Sequence, residues 1–208
     1  MMRVITRGLT VLALTAMPSA AAAQSGSWTP EISLSAGLGH VFRWDDETFG
    51  DRIAAGVGVA MVHTSDWAFE WHVDRTFGLE PKQAPCGLVN VTCIGIAHYG
   101  PTEMAVMSMS VRRYFGAGRV QPYLTGGLGV MWSRSLHSVT QVRGSIATNT
   151  EFASSDRGFG PDLGAGMRLR LARSWSVETE VRWLDAPWLS RQNLAVTRLL
   201  AGATYAIR

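Results

Sequence analysis

The chain lacks most of what the common functional classes require. Beyond residue 23 no run of about 18 or more apolar residues occurs, which excludes a membrane-spanning helix from that part of the sequence. No Lys/Arg-rich cluster is present, so the electrostatic footprint of a nucleic-acid-binding protein is missing and no nucleic acid is expected as a partner. There is no phosphate-cradling glycine loop, no zinc-ligand spacing and no nucleophile elbow, and with them go the usual grounds for assigning a cofactor, a metal or a catalytic residue. Cysteine is scarce, with 2 in 208 residues, so a disulfide-built scaffold is excluded too.

What is present begins with a leader. Arg3 and Arg7, the apolar run Leu9 to Met17 and the small residues Ala21-Ala22-Ala23 have the form of a secretory signal peptide over residues 1–23, cleaved before Gln24. The apolar run is too short to cross about 30 Å of hydrocarbon, and Pro18 follows it. Once Arg3 and Arg7 leave with the leader, 17 basic residues stand against 16 acidic ones, and the mature domain over residues 24–208 is close to neutral.

That domain reads as eight stretches of alternating apolar and polar residues. Trp67, Phe69, Trp71 and Val73 alternate with Glu70, His72 and Asp74; Ala105, Met107, Met109 and Val111 alternate with Ser108, Ser110 and Arg112. The same period of two recurs at Ile32–Leu38, Ile53–Met61, Leu124–Trp132, Leu163–Leu169, Trp175–Trp183 and Leu199–Ile207, placing one set on each face of a strand. The joints alternate in length. Thr64–Asp66, Gly116–Arg119 and Ala172–Ser174 are tight, whereas Phe42–Asp51, Phe77–Pro101, Ser133–Arg157 and Asp185–Asn193 are long. The fold class is therefore all-β, an eight-stranded antiparallel up-and-down transmembrane β-barrel.

Alternation alone fits a secreted, soluble, lipocalin-like binding barrel as well, with the apolar set turned inward. Three features favour the membrane version. The second face is rich in Gly, Ala and Ser, which suit a narrow interior better than a solvated surface. Aromatic residues gather at two levels: Trp28, Trp67, Phe115, Tyr123, Trp175 and Tyr205 at the short-turn end, and Phe42, Trp44, Phe77, Trp132, Phe159 and Trp183 at the long-loop end. The long joints all lie at one end.

From Trp28 to Arg208 the chain resembles the small eight-stranded outer-membrane barrels of the OmpA/OmpX type. The last strand carries Gly202, Tyr205 and Ile207 at the spacing usual in such barrels, although the chain ends on Arg208 instead of an aromatic residue. The resemblance implies the outer membrane of a Gram-negative-type cell, with outer-membrane lipid and the barrel-assembly machinery as partners.

With the apolar set facing lipid, the interior collects Glu70, Asp74, Asp162, Glu178 and Glu180 together with Arg112, Arg168, Arg170, Arg182 and Arg198. A lumen of eight strands holds little beyond side chains, so these five acids and five bases are expected to form a salt-bridged plug. A narrow ion pathway is the alternative use of the same residues. An enzyme modifying lipid A is another, with Glu70, His72 and Ser108 or Ser110 as the best available group. Those residues belong to the inward set, however, and His137-Ser138 lies in a polar joint instead of on a lipid-facing strand.

The longest joint carries Cys86 and Cys93. An exported protein folds where disulfides form, so these two are expected to bridge and brace an exposed loop. The joint Ser133–Arg157 is rich in Ser, Thr and Asn and is expected to be a mobile, solvent-facing loop. Loops held on a rigid barrel are where a surface ligand would be recognised. Asp45-Asp46-Glu47 reads as a solvated acidic tip, and Asn90-Val91-Thr92 as a chance match to a glycosylation triplet.

Overall fold

The computed structural model describes residues 28–43, 48–63, 66–80, 82–85, 96–143, 146–188 and 193–207. The leader at 1–23, Trp44, the acidic tip at 45–47, Cys86, Cys93, the triplet at 90–92 and Arg208 lie outside the described residues. Every regular element among them is a strand: β1 Trp28–Arg43, β2 Thr48–His63, β3 Trp67–Phe77, β4 Lys82–Pro85, β5 Ile96–Tyr99, β6 Pro101–Tyr114, β7 Val120–Arg143, β8 Ile146–Arg170, β9 Trp175–Asp185 and β10 Leu194–Ala206.

Eight long strands pair with their neighbours in chain order, all antiparallel, and β1 pairs with β10 from Glu31↔Ala206 to Arg43↔Leu194. The sheet is a closed eight-stranded barrel with no free edge around its wall. Along β3 the residues alternate exposed and buried without a break. The apolar set faces out: Leu34, Ile53, Met109, Leu124, Leu128 and Leu199 are all more than half exposed. Along the middle of the wall the charged residues face in, the reverse of a soluble barrel.

Two features depart from the sequence reading. Ser133–Arg157 is not an irregular loop. β7 runs on to Arg143 and β8 starts at Ile146, paired residue for residue down to Arg143↔Ile146. Its Ser, Thr and Asn content resembles that of a loop, but small β-forming polar residues also suit a ribbon wetted on both faces, whose backbone groups bond across the pair. Within the joint Phe77–Pro101, β4 and β5 form a second hairpin that adds to β7 beside the rim through Ala97↔Val139 and His98↔Ser138. Between β5 and β6 the chain bends at Gly100, whose φ of +127° is open only to glycine and whose missing side chain leaves room for the Phe49 ring.

Tyr123 is the second departure. It was expected in the short-turn aromatic belt, yet it is buried in the lumen, edge-on to Tyr114 with ring centroids 5.5 Å apart. It shares its strand face with Thr125 and Gly127, so the period of two outweighs the general tendency of aromatics at strand ends to face lipid.

Candidate functional site: the layered lumen

Six carboxylates and four guanidiniums are buried inside the barrel: Glu31, Glu70, Asp74, Asp162, Glu178 and Glu180 against Arg112, Arg168, Arg182 and Arg198. Nine of them form one chain of alternating sign along the axis. At the short-turn end Arg168 donates from Nη2 to Glu31 Oε2 and from Nε to Glu178 Oε1, both at 2.6 Å. Arg112 links Glu178 Oε2 at 2.7 Å to Glu70 Oε1 at 2.9 Å. Arg182 Nη2 donates to the other Glu70 oxygen at 2.9 Å, and its Nε lies 3.6 Å from Asp162. Arg198 then joins Asp162, at 2.7 Å, to Asp74. Glu180 branches off, 3.2 Å from Arg182 and 3.5 Å from Arg112.

The groups come from six of the eight wall strands, and the alternating strand face aims each of them at the axis. Missing side chains provide the space. A Cβ on Gly164 would stand 3.0 Å from Arg182 Cγ, and one on Gly56 would stand 2.7 Å from His72 Nε2. Two tyrosines floor the network, with Arg112 over the Tyr123 ring at 4.2 Å and Arg168 over the Tyr114 ring at 4.5 Å.

Above the charges, toward the long-loop end, the same inward face becomes apolar. Val41, Phe49, Leu79, Met104, Val106, Met131, Leu184, Ala186, Leu194 and Val196 form a buried cluster across the lumen. The interior is thus stacked as tyrosine floor, ion layer and apolar cap. The sequence reading missed the cap. It also missed Glu31, which shares a strand face with Ser33 and Ser35 and was available by extending that alternation two residues toward the N-terminus.

Nine of the ten charged residues singled out from sequence line this network; Arg170 does not join it. It sits half-buried on the last residue of β8 opposite Ser176, next to the turn, and has no ion-pair partner among the described residues. A guanidinium at the rim reaches water and needs no buried partner. Arg170→Met is accordingly expected to change stability by no more than about 0.5 kcal/mol in urea unfolding of the detergent-solubilised barrel.

His72 is buried beside the network, 3.6 Å from Asp74 and 4.0 Å from Glu70. Ser110 donates to Glu70 at 3.4 Å and accepts from Arg182 at 2.9 Å; Ser108 lies opposite His72 in the strand register. The acids and the imidazole lie side by side, but neither His72 nitrogen nor the Ser108 hydroxyl makes a hydrogen bond among the described residues. The Ser110 hydroxyl is engaged by a carboxylate and a guanidinium, and the group lies beneath the cap, out of reach of a lipid chain. Among the described residues no cluster of three or more His, Cys, Asp or Glu has the arrangement to hold a metal ion.

This architecture has counterparts among solved structures. A major outer membrane protein from Thermus thermophilus aligns with 87% of this chain and 100% of its own, at a TM-score of 0.57 and 10% identity. Ail, the attachment invasion locus protein of Yersinia pestis, aligns over 86% of this chain and 99% of its own at a TM-score of 0.53 and 12% identity. Neisserial surface protein A aligns over 85% and 96% at a TM-score of 0.51 and 13% identity. At such identities the likeness is one of fold alone. No curated protein matches the sequence. Residues 9–206, nearly the whole chain, match the outer membrane protein beta-barrel domain, and with its apolar exterior and closed ring of eight strands the chain belongs to that family of outer-membrane barrels.

Proposed function

We propose that the protein is a non-conducting, non-enzymatic outer-membrane barrel whose protruding sheet is a surface for binding external ligands. The layered lumen carries this reading. A hydrated ion entering from the long-loop side meets the apolar cap first and, beneath it, guanidiniums and carboxylates already paired in charge with one another. Planar-bilayer recordings of the purified protein are expected to show no stable conductance, and a large open channel in every preparation would overturn the plugged lumen. His72→Ala is expected to leave the lipid A species of the expressing cell unchanged by mass spectrometry, since the imidazole is sealed in the lumen.

The recognition half of the proposal rests on β7 and β8. β8 has 25 residues, whereas about 9–11 suffice to cross a membrane, so a ribbon of a dozen or so residues on each strand stands beyond the rim. Among the described residues, no strand pairs with β8 from Ile146 to Ser155 on the side away from β7, which leaves backbone donors and acceptors open to an added strand. Ail, similar in fold, was solved with the heparin analogue sucrose octasulfate, an instance of such a barrel binding an external ligand. Cells displaying the barrel with residues 137–152 replaced by a two-residue turn are expected to lose surface adhesion while keeping a folded barrel. Undiminished adhesion would remove the ribbon from the function.

Cys86 and Cys93 flank the tip side of the β4–β5 hairpin in sequence, since β4 ends at Pro85 and β5 starts at Ile96. The proposed disulfide would brace this hairpin by about 2–3 kcal/mol. The double variant Cys86→Ser/Cys93→Ser is expected to retain the barrel's unfolding transition while becoming more sensitive to proteolysis between residues 82 and 99. A lowered barrel transition would show that the bridge supports the wall instead.

A further inference from the structure

The outward face of the wall changes character abruptly at the long-loop end of β3, β6, β7 and β8. In one cross-strand row Val73 pairs with Met107, Met107 with Val130 and Val130 with Phe159, all apolar. The next row outward runs Arg75, Ala105, Trp132 and Arg157, and the one after it Phe77, Glu103, Arg134 and Ser155. The apolar band thus ends on a patch holding three arginines and one carboxylate, with Phe77 and Trp132 exposed among them at the level where interfacial aromatics sit.

The single carboxylate is taken. Glu103 pairs with Arg75, whose guanidinium also lies over the Phe77 ring at 5.1 Å. Arg134 and Arg157 are exposed and have no ion-pair partner among the described residues. The register makes them diagonal neighbours on one face, since Arg134 is opposite Ser155 and Arg157 opposite Trp132. Such positions lie within about 7–8 Å, close enough for two like charges to repel and for one anion to bridge them. Asp156 alternates to the other face of β8. At the short-turn end the corresponding outward arginine, Arg113, is partnered by Asp66 at 3.7 Å and stacked on Trp67 at 4.6 Å. Of these outward-facing wall arginines, the two without an ion-pair partner among the described residues therefore stand on the long-loop side.

We propose that Arg134 and Arg157, flanked by Trp132, bind the phosphate of a phosphorylated glycolipid of the lipid A class in the outer leaflet, with its acyl chains lying on the apolar row that ends in Val130 and Phe159. Guanidinium forks match phosphate oxygens two at a time, and the patch lies where a headgroup must sit if the chains are to reach the apolar rows. The site lies on the outward face where the ribbon leaves the wall, separate from the lumen and from residues 137–152 of the ribbon's outer part.

The test is native mass spectrometry of the full chain, released from detergent, titrated with bisphosphorylated lipid A. One lipid per chain is expected. Arg134→Gln with Arg157→Gln should weaken it about tenfold or more, while Arg113→Gln, the same loss of charge at the other end, should bind as the wild type does. Lipid A stripped of both phosphates should bind the unaltered protein about as weakly as intact lipid A binds the double variant; this arm needs no variant to fold. The proposal is overturned by undiminished binding in the double variant, by an equal loss in Arg113→Gln, or by equal affinity for the phosphate-free lipid.

Discussion

Arg182→Met is expected to destabilise the barrel by about 3–5 kcal/mol, the largest effect of any single substitution in the lumen. Arg182 is fully buried, and its Nη2 donates to Glu70 and Ser110, both at 2.9 Å, while its Nε lies near Asp162 and Glu180. Methionine fills much of the volume but leaves three carboxylates to share Arg112 and Arg198. Urea unfolding in detergent micelles, followed by the shift between folded and unfolded bands on gels, measures the loss. Glu180 belongs to no link of the alternating chain, so adding Glu180→Gln to Arg182→Met should recover part of the stability. If Arg182→Met cost no more than Arg170→Met, the network would be decoration on a wall held by its backbone ladder alone.

Truncation in the cap comes next. Leu184 is fully buried at the junction of cap and ion layer, close enough to β7 that a Cβ on Gly129 would stand 2.8 Å from its Cδ1. Leu184→Ala is expected to cost about 2–5 kcal/mol through lost burial and the cavity left behind. Bilayer recordings of this variant should still be silent, because the paired charges below remain in place. Steady conductance from Leu184→Ala alone would mean that the cap is the whole barrier and that the ion layer does not contribute to it.

How much of this was legible in the sequence depended on where the period of two stood alone. Along Phe69–Asp74 each inward residue is polar and each outward one apolar, and the assigned faces agree with the structure throughout. Toward the long-loop end the inward face turns apolar as well. Met104, Ala105, Val106 and Met107 then form an unbroken apolar run, and so do Leu194, Ala195 and Val196. Such runs carry no periodic contrast, so the cap was hidden although its residues keep the same alternation. Arg170 failed for another reason: facing inward is a property of a strand, but burial depends on depth, and the last residue before a turn is wet on either face. In Ser133–Arg157 composition pointed to a loop, because the extra β-structure is wetted on both sides and leaves no apolar stripe to betray it.

The ion layer also constrains the order in which the wall is built. Arg168 reaches Glu31 across 137 residues of chain, Arg198 reaches Asp74 across 124, and Arg182 reaches Glu70 across 112. None of these partners meets while the sheet is still an open ribbon, so in a half-wound chain the guanidiniums of β8 to β10 keep only Asp162, Glu178 and Glu180 from their own strands as counter-charges, and their remaining donors must stay hydrated. Water can leave the interior only as the first and last strands zip together. Dehydration of the axis and closure of the wall are thus one event, and a chain cut short of β10 has no partly sealed state in which to rest.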